Sequence, residues 1–296
     1  MKLMGFTKKA LFISTVILVS LLIFSVPASA GYSIGFSNSV IQISSPSSSG
    51  FNCEGNLTIE GTSDLDQVWF CVRGPAGDLI THPADVQGGS FKLNIELRFG
   101  PGKYTIWAGD NPTRFDGVIR FELNNKLDKD TRYISPSAYV DSDNQLVIDL
   151  ANQIVMPQMG ETEKVKAIHD WVAGNIAYDY NAFLEGDTTL IPASQTLKSK
   201  KGVCRDYSFL VAALARAAGL QAKVVHGQTW ESNGWTSQSH AWNEVYADGK
   251  WVTVDATWDA GYIQNNSFVA APSTKYFAPD SEDFAVTHFA SAYTSY

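Results

Sequence analysis

The chain has 296 residues, of which 45% are hydrophobic, and it carries a formal net charge of −8 at pH 7. That apolar content is typical of a globular protein with buried cores. A chain this acidic repels phosphate groups, and the sequence contains no basic run, so composition and charge argue against nucleic acid as a partner.

The first thirty residues predict a secretory signal peptide. Lys2, Lys8 and Lys9 precede an almost wholly apolar run from 11 to 26, and Ala-Ser-Ala at 28–30 is a small-residue cleavage pattern. An uncleaved membrane anchor is the alternative, because the run is near the lower end of spanning length. Cleavage removes three lysines and no acidic residue, which moves the formal charge from −8 to −11. We expect a protein that is secreted or held at the cell surface, with release or retention left open.

Residues 31–125 predict a small all-β domain. Short segments such as "NLTIEGT", "GSFKLNIELR" and "GKYTIWAG" alternate in polarity or are rich in β-branched and aromatic residues, and Gly-Pro turns separate them. Strands at this spacing favour a β-sandwich of the immunoglobulin-like kind. About 266 exported residues exceed the usual size of one domain, so a second domain is expected.

The chain has three cysteines, and export bears on how they pair. Outside the cytosol thiols tend to form disulfides, and Cys53 and Cys71 lie 18 residues apart in the β-rich region. We predict a disulfide between them, which would stabilise the fold by about 3 kcal/mol. Cys204 is then the odd thiol, either a reactive group or an inert buried side chain.

Residues 126–145 are polar and predict a linker, and residues 146–296 predict a second, α+β domain. Its first half shows helical spacing of apolar residues within "ETEKVKAIHDWVAGN" and within the segment that starts at Cys204, where Gly219 marks the helix end. Its second half contains the strand-like segments "AKVVHGQTW", "SHAWNEVYA" and "KWVTVDATW". Helices followed by strands indicate an α+β order.

The position of Cys204 suits a nucleophile. A helix start carries unpaired backbone N–H groups and a partial positive charge, which favour a thiolate over a thiol. The same N–H groups could later hold an oxyanion during acyl transfer. A nucleophile also needs a base, and two histidines, His226 and His240, follow within forty residues.

A predicted hairpin supplies that base. Asp-Gly at 248–249, between two alternating segments, is a strong hairpin signal. If Ala247 pairs with Lys250, then His240 and Asp255 lie on one face as diagonal neighbours, with α-carbons about 7–8 Å apart. Asp255 could orient the imidazole of His240, which would take the thiol proton.

These segments resemble the transglutaminase-like superfamily over roughly residues 130–290. The family places its nucleophile in Gly-x-Cys at a helix start, its histidine in His-Ala-Trp and its aspartate in Val-Asp-x-Thr-Trp, which match Cys204, His240 and Asp255. The upstream "KVKAIHDWVAGNIAYDY", with Tyr178, and the closing "KYFAPDSEDFAVTHF" are also similar to family members. One departure is Ala256, where proline is common, and we expect it to change the strand geometry little.

The resemblance implies a papain-like core in which the cysteine helix packs on an antiparallel sheet. It implies thiol acyl chemistry on amide bonds of a protein or peptide substrate, which could belong to the cell envelope. Hydrolysis by a peptidase or amidase is favoured, and protein-glutamine cross-linking and a non-catalytic binding module that retains the fold are the alternatives. No cofactor and no metal are expected, because no calcium-loop spacing appears. The oligomeric state is left open.

Other residues receive weaker assignments. Trp242 and Tyr178 could line the cleft or pack as framework, and Gln195 could help to hold an oxyanion. A zinc site formed by Cys204, His226 and His240 is disfavoured because it lacks closely spaced ligand pairs. A cell-wall amidase of the Cys-His-His type is disfavoured by an aspartate as third member.

Overall fold

A computed structural model describes residues 34–230 and 237–294. The predicted signal peptide lies outside the described residues. Within those ranges, none of the helices is long and apolar enough to cross a membrane.

The N-terminal region forms two sheets, as the alternating patterns predict. Its strands within the described residues are β1 (Ile41–Ser45), β2 (Phe51–Cys53), β3 (Asn56–Ser63), β4 (Gln67–Arg73), β5 (Leu79–Asp85), β6 (Ser90–Glu96), β7 (Gly102–Gly109) and β8 (Ile119–Asn125). Strands β1, β3 and β6 form one sheet, and the order β2-β8-β7-β4-β5 forms the other.

The two sheets share one hydrophobic core, which makes this region a β-sandwich. Residues alternate between buried and partly exposed along β8, so each strand turns one face inward. Apolar side chains from both sheets, among them Ile59 and Phe121, form the core. The hydroxyl of Tyr104 donates to the carbonyl oxygens of Leu97 and Gly100, each at 3.0 Å. A tyrosine bonded back to upstream backbone is typical of immunoglobulin-like sandwiches.

The predicted disulfide between Cys53 and Cys71 is wrong. Both thiols are free. Cys53 ends β2 and Cys71 lies in β4, and strands β8 and β7 stand between these two strands. Three strand spacings separate the two residues by at least about 14 Å, whereas a disulfide requires α-carbons within about 7 Å. Closeness in sequence was misleading because both cysteines belong to the same sheet without being neighbours in it.

Thiol counting tests this correction. The unfolded protein, purified without reductant, should take up three equivalents of a thiol-alkylating reagent, as should a sample that was reduced first. The two samples should differ in mass only if a disulfide forms. A gain of two reactive thiols on reduction, mapped to Cys53 and Cys71 by peptide mass spectrometry, would contradict the structure.

The segment predicted as a linker, residues 126–145, contains buried residues. Tyr139 and Val140 are buried in the second hydrophobic core. The guanidinium of Arg98, from the sandwich side, donates to the carbonyl oxygen of Pro136 at 3.3 Å, and that of Arg216 donates to the carbonyl oxygen of Ser135 at 2.9 Å. Buried backbone carbonyls need such partners, and the two arginines supply them along this segment.

The remaining residues form helices followed by a sheet, which confirms the α+β order. The elements after residue 144 in the described ranges are α1 (Gln145–Ile154), α2 (Glu161–Asn175), β9 (Ala177–Tyr178), α3 (Tyr180–Glu185), α4 (Ala193–Ser199), β10 (Lys201–Gly202), α5 (Cys204–Ala217), β11 (Ala222–Trp230), β12 (Ser237–Ala247), β13 (Lys250–Val254), α6 (Ala256–Ala260), β14 (Gly261–Gln264), β15 (Ser267–Ala270), α7 (Ser281–Ala285) and β16 (His288–Thr294).

Helix α5 is the centre of this second core. Strands β13, β12, β11 and β16 form an antiparallel sheet in that order. Helix α5 packs on β11 and β12, and α1, α2 and α4 pack around it. Nearly all of α5 is buried, including Leu210 and Leu214 on its apolar face. It ends in a Schellman motif, since Gly219 has a φ of 82° and its N–H bonds Arg216 O, while Leu220 N–H bonds Ala215 O.

Candidate active site

Cys204 is the first residue of helix α5, as predicted. Val203 is the N-cap residue, and the carboxylate of Asp206 accepts from the backbone N–H of Val203 at 2.9 Å. Asp206 therefore caps the helix rather than lying in solvent. Gly202 is required at its position because a Cβ there would lie 2.6 Å from the Cβ of Asp206. The carboxylate of Asp206 thus holds the first turn of α5 close to the backbone of Gly202 and Val203.

The hairpin forms in the predicted register. Ala247 pairs with Lys250, and the pairing continues in step to Asn243 with Val254. Asp248 and Gly249 both have positive φ, at 50° and 81°, as a two-residue type I′ turn requires.

The hairpin ends earlier than predicted. Strand β13 stops at Val254, and Asp255 is the N-cap residue of the short helix α6. Its Oδ1 atom accepts from the backbone N–H groups of Thr257 at 3.0 Å and of Trp258 at 3.1 Å. Ala256 is therefore the first residue of a helix and not part of a strand. Proline is also well tolerated at the first position of a helix, so the proline expected from the family resemblance would suit this position as well.

The side chains of His240 and Asp255 are in direct contact. The Nε2 atom of His240 lies 2.6 Å from Oδ2 of Asp255, and both side chains are buried. Cys204, at the start of α5, is among the groups that act on the ionisation of His240. The structure thus joins an imidazole from β12 to a carboxylate from the β13–α6 junction.

The electrostatics of the pair favour an imidazolium beside a carboxylate. Burial lowers the pKa of His240, but the charge and hydrogen bond of Asp255 and the interaction with Cys204 outweigh it and raise that pKa to about 10. Burial raises the pKa of Asp255, but the charge and hydrogen bond of His240, followed by those of His288, hold it well below its usual range. An ionised Asp255 at neutral pH is therefore built into the site.

His288 is a fourth member of this cluster that sequence reasoning missed. Its Nε2 atom lies 3.1 Å from the same Oδ2 atom of Asp255, and its side chain is fully buried. Strand β16 brings it there by pairing with β11, from 33 residues beyond Asp255. The one available signal was its place in the closing segment that resembles family members.

Aromatic rings enclose the two imidazoles. Trp242 stacks on His240 with ring centroids 6.0 Å apart, and Trp258 lies 5.7 Å from His240 and 4.5 Å from His288. Gly227 leaves room for this arrangement, because a Cβ there would lie 2.6 Å from the Trp242 ring. Trp242 is therefore buried against the imidazole of His240, and its assignment to the cleft stays a prediction.

Tyr178 and Gln195 both lie near the segment that precedes Cys204. Strand β9 pairs with β10, which sets Tyr178 opposite Gly202. Burial, together with the nearby Cys204, carries the pKa of Tyr178 well above its usual value. Gln195 is exposed on α4 and lines a cavity of about 330 Å³. Within the described chain Cys204 is not part of that lining, so the oxyanion role of Gln195 stays a prediction.

The zinc set of Cys204, His226 and His240 is not assembled. Gly227 pairs with His240, so His226 projects from the opposite face of the sheet. Burial lowers the pKa of His226, as expected of a neutral side chain. Ligand atoms of His240, Asp255 and His288 do lie within 4.8 Å of one another, but the hydrogen bonds among them occupy the same atoms.

A second buried histidine–carboxylate pair lies outside the site. The Nε2 atom of His169, in α2, lies 2.9 Å from Oδ2 of Asp259, in α6. The carboxylate of Asp259 also accepts from the hydroxyl of Ser273 and from the backbone N–H groups of Lys275 and Tyr276. This pair therefore joins α2, α6 and the 273–276 segment, and it offers a matched control for the Asp255 cluster.

Comparisons with known proteins found similar sequences. Residues 148–256 match the family model described as the transglutaminase-like superfamily. The kyphoscoliosis peptidase of Mus musculus is 32% identical over 154 residues, which cover 49% of this chain and 23% of that protein. The chain thus aligns with about a quarter of the length of this curated relative.

Matches to solved structures were also found. A protein from Cytophaga hutchinsonii, described as a candidate cysteine protease, has a TM-score of 0.39 at 19% identity and covers 81% of this chain and 86% of its own. The periplasmic domain of TgpA from Pseudomonas aeruginosa has a TM-score of 0.33 at 17% identity and covers 76% of this chain and 75% of its own.

Proposed function

We propose that the protein is a thiol acyl-transfer enzyme acting on amide bonds, with Cys204 as nucleophile, His240 as base and Asp255 as the orienting carboxylate. The match of residues 148–256 to the model of the transglutaminase-like superfamily supports this proposal. One observation carries the proposal. A single imidazole bonds the buried Asp255 through Nε2 and interacts with the thiol of Cys204, which is the arrangement that nucleophile activation requires.

The proposed reaction proceeds in two halves. His240 takes the proton of Cys204, and the thiolate attacks the carbonyl carbon of the amide to form a tetrahedral oxyanion. In this proposal, backbone N–H groups at the start of α5 bind that oxyanion. As the C–N bond breaks, the imidazolium of His240 protonates the departing nitrogen, which leaves a thioester on Cys204.

The second half decides the type of enzyme. Attack of water on the thioester, with His240 taking its proton, releases a carboxylic acid and regenerates the thiol. Attack of a primary amine in place of water forms a new amide. We propose hydrolysis, and so a peptidase or amidase, which accords with the peptidase name of the mouse relative.

Competition between water and an amine tests this proposal. The protein is incubated with a peptide library that contains glutamine and with a primary amine that carries a fluorophore. We expect cleavage products that depend on Cys204 and little amine incorporation. Incorporation in excess of cleavage would assign the protein to the cross-linking class. Neither product with any peptide tested, from a folded protein, would favour a binding module.

A further inference from the structure

The carboxylate of Asp255 has four hydrogen-bond partners, two on each oxygen. Oδ1 accepts from two backbone N–H groups of α6, and Oδ2 lies within hydrogen-bond distance of His240 and His288. An ionised carboxylate offers about four lone-pair sites, so this one is fully satisfied. Removal of any partner in this buried place leaves a lone pair that water does not readily reach.

We propose that His288 is a positioning residue that holds the carboxylate of Asp255 in the orientation required by His240. This inference rests on the proposed function and deepens it, by extending the site from three side chains to four. His288 approaches Oδ2 from strand β16, whereas His240 approaches it from strand β12. The two imidazoles together keep Oδ2 from turning away from either of them.

The contacts of His288 assign it to positioning and not to proton transfer from the thiol. Its Nε2 atom bonds Asp255, and its Nδ1 atom lies 2.8 Å from the hydroxyl oxygen of Thr287. Its ring stacks on Phe284 with centroids 3.9 Å apart. Both ring nitrogens are therefore used and the ring plane is clamped, so His288 acts on the reaction only through Asp255.

The titratable groups around Asp255 come from several elements. They are His240 of β12, His288 of β16, Cys204 and Tyr207 of α5, and Tyr178 of β9. Of these, His240 and His288 are the two that favour the ionised carboxylate. When His288 is lost, Asp255 has one fewer partner and supports the His240 imidazolium less well. The acid limb of the Cys204 alkylation profile should then move to higher pH.

The test compares His288→Met with His288→Gln. Methionine fills the space flexibly but donates no hydrogen bond, whereas the glutamine amide can donate to Oδ2 in place of the imidazole. We expect His288→Met to lower kcat about 10- to 100-fold with little change in KM. In His288→Met, alkylation of Cys204 by iodoacetamide should reach the wild-type rate only at a higher pH. In His288→Gln, kcat and the pH dependence of Cys204 alkylation should both be close to those of the wild type.

A matched control separates this role from a loss of stability. His169→Met removes a buried histidine–carboxylate bond of the same kind from Asp259 instead of Asp255. It should lower the denaturation midpoint comparably but leave the alkylation profile unchanged. A His288→Met profile identical to that of His169→Met, or a His288→Gln variant that is folded but as impaired as His288→Met, would overturn the proposal.

Alkylation needs no substrate, so the two proposals fail in distinguishable ways. A wild-type Cys204 that reacts no faster than an ordinary thiol at neutral pH contradicts the proposed function. A fast wild-type reaction that is unchanged by the His288 substitutions contradicts only the role of His288. Should His288→Met not fold, ¹⁵N NMR of the wild-type histidines decides the question. We expect a His288 proton on Nε2, and a ring protonated at Nδ1 alone overturns the inference.

Discussion

Replacement of Cys204 by alanine should lower turnover of any amide substrate by at least about 10⁴-fold, because loss of the nucleophile removes the covalent route altogether. It should also remove the one thiol that reacts quickly with iodoacetamide at about pH 6–7. Burial raises the pKa of the Cys53 and Cys71 thiols, so these two should react slowly there. Steady-state kinetics and peptide mapping of the alkylated protein measure both effects.

Cys53→Ala provides the matched control. It removes another thiol of intermediate exposure from the sandwich, far from the imidazole of His240. We expect full turnover and an unchanged rate of fast alkylation. Fast labelling that persists in Cys204→Ala, or turnover that survives in it, would show that the reactive group lies elsewhere.

Asp255→Asn should be the second most damaging change. The asparagine amide places its NH₂ group either toward the two imidazoles or toward the backbone N–H groups of Thr257 and Trp258, so one pair of donors loses its acceptor. It also carries no charge to support an imidazolium. Loss of the orienting carboxylate in such a site costs about 10⁴-fold in kcat. Breaking a buried ion pair costs about 3–5 kcal/mol of the free energy of unfolding.

The stability difference between wild type and Asp255→Asn should depend on pH. The pKa of His240 is raised to about 10 by Asp255 and Cys204 against burial. Its contribution is therefore complete below about pH 6.5 and is lost as pH rises toward 10. The pKa of Asp255 is lowered by His240 and His288 against burial, so its contribution is present above about pH 4 and is lost at lower pH.

Denaturant unfolding at several pH values measures this dependence. The difference in free energy of unfolding should be largest between about pH 4 and 6.5 and should shrink steadily toward pH 10. Asp259→Asn, in the second buried histidine–carboxylate pair, should destabilise the protein while lowering kcat less than about tenfold. A wild-type advantage over Asp255→Asn that grows with pH would contradict the charged pair.

Local signals in the sequence predicted most of the candidate site. The turn at Asp248 and Gly249 sets the register of its own hairpin, so His240 and Asp255 could be placed together from sequence spacing. The start of α5 at Cys204 follows from its apolar periodicity and from the glycine at its end. In both cases the residues that set the structure lie within about fifteen positions of one another along the chain. At that range the sequence spacing of residues predicts which side chains share a face of a helix or hairpin.

Strand order decided the rest, and strand order depends on contacts between distant segments. The sequence patterns predicted strands around Cys53 and Cys71 but not that β8 and β7 lie between them, so the disulfide prediction failed. They likewise gave no reason to expect β16 beside β11, which carries His288 to Asp255. Residue types and short spacings on their own predicted the candidate nucleophile, its candidate base and the carboxylate that contacts that base. Only the packing of non-adjacent strands determined which further side chains share their site, because a strand's neighbours are chosen by the burial of whole sheet faces.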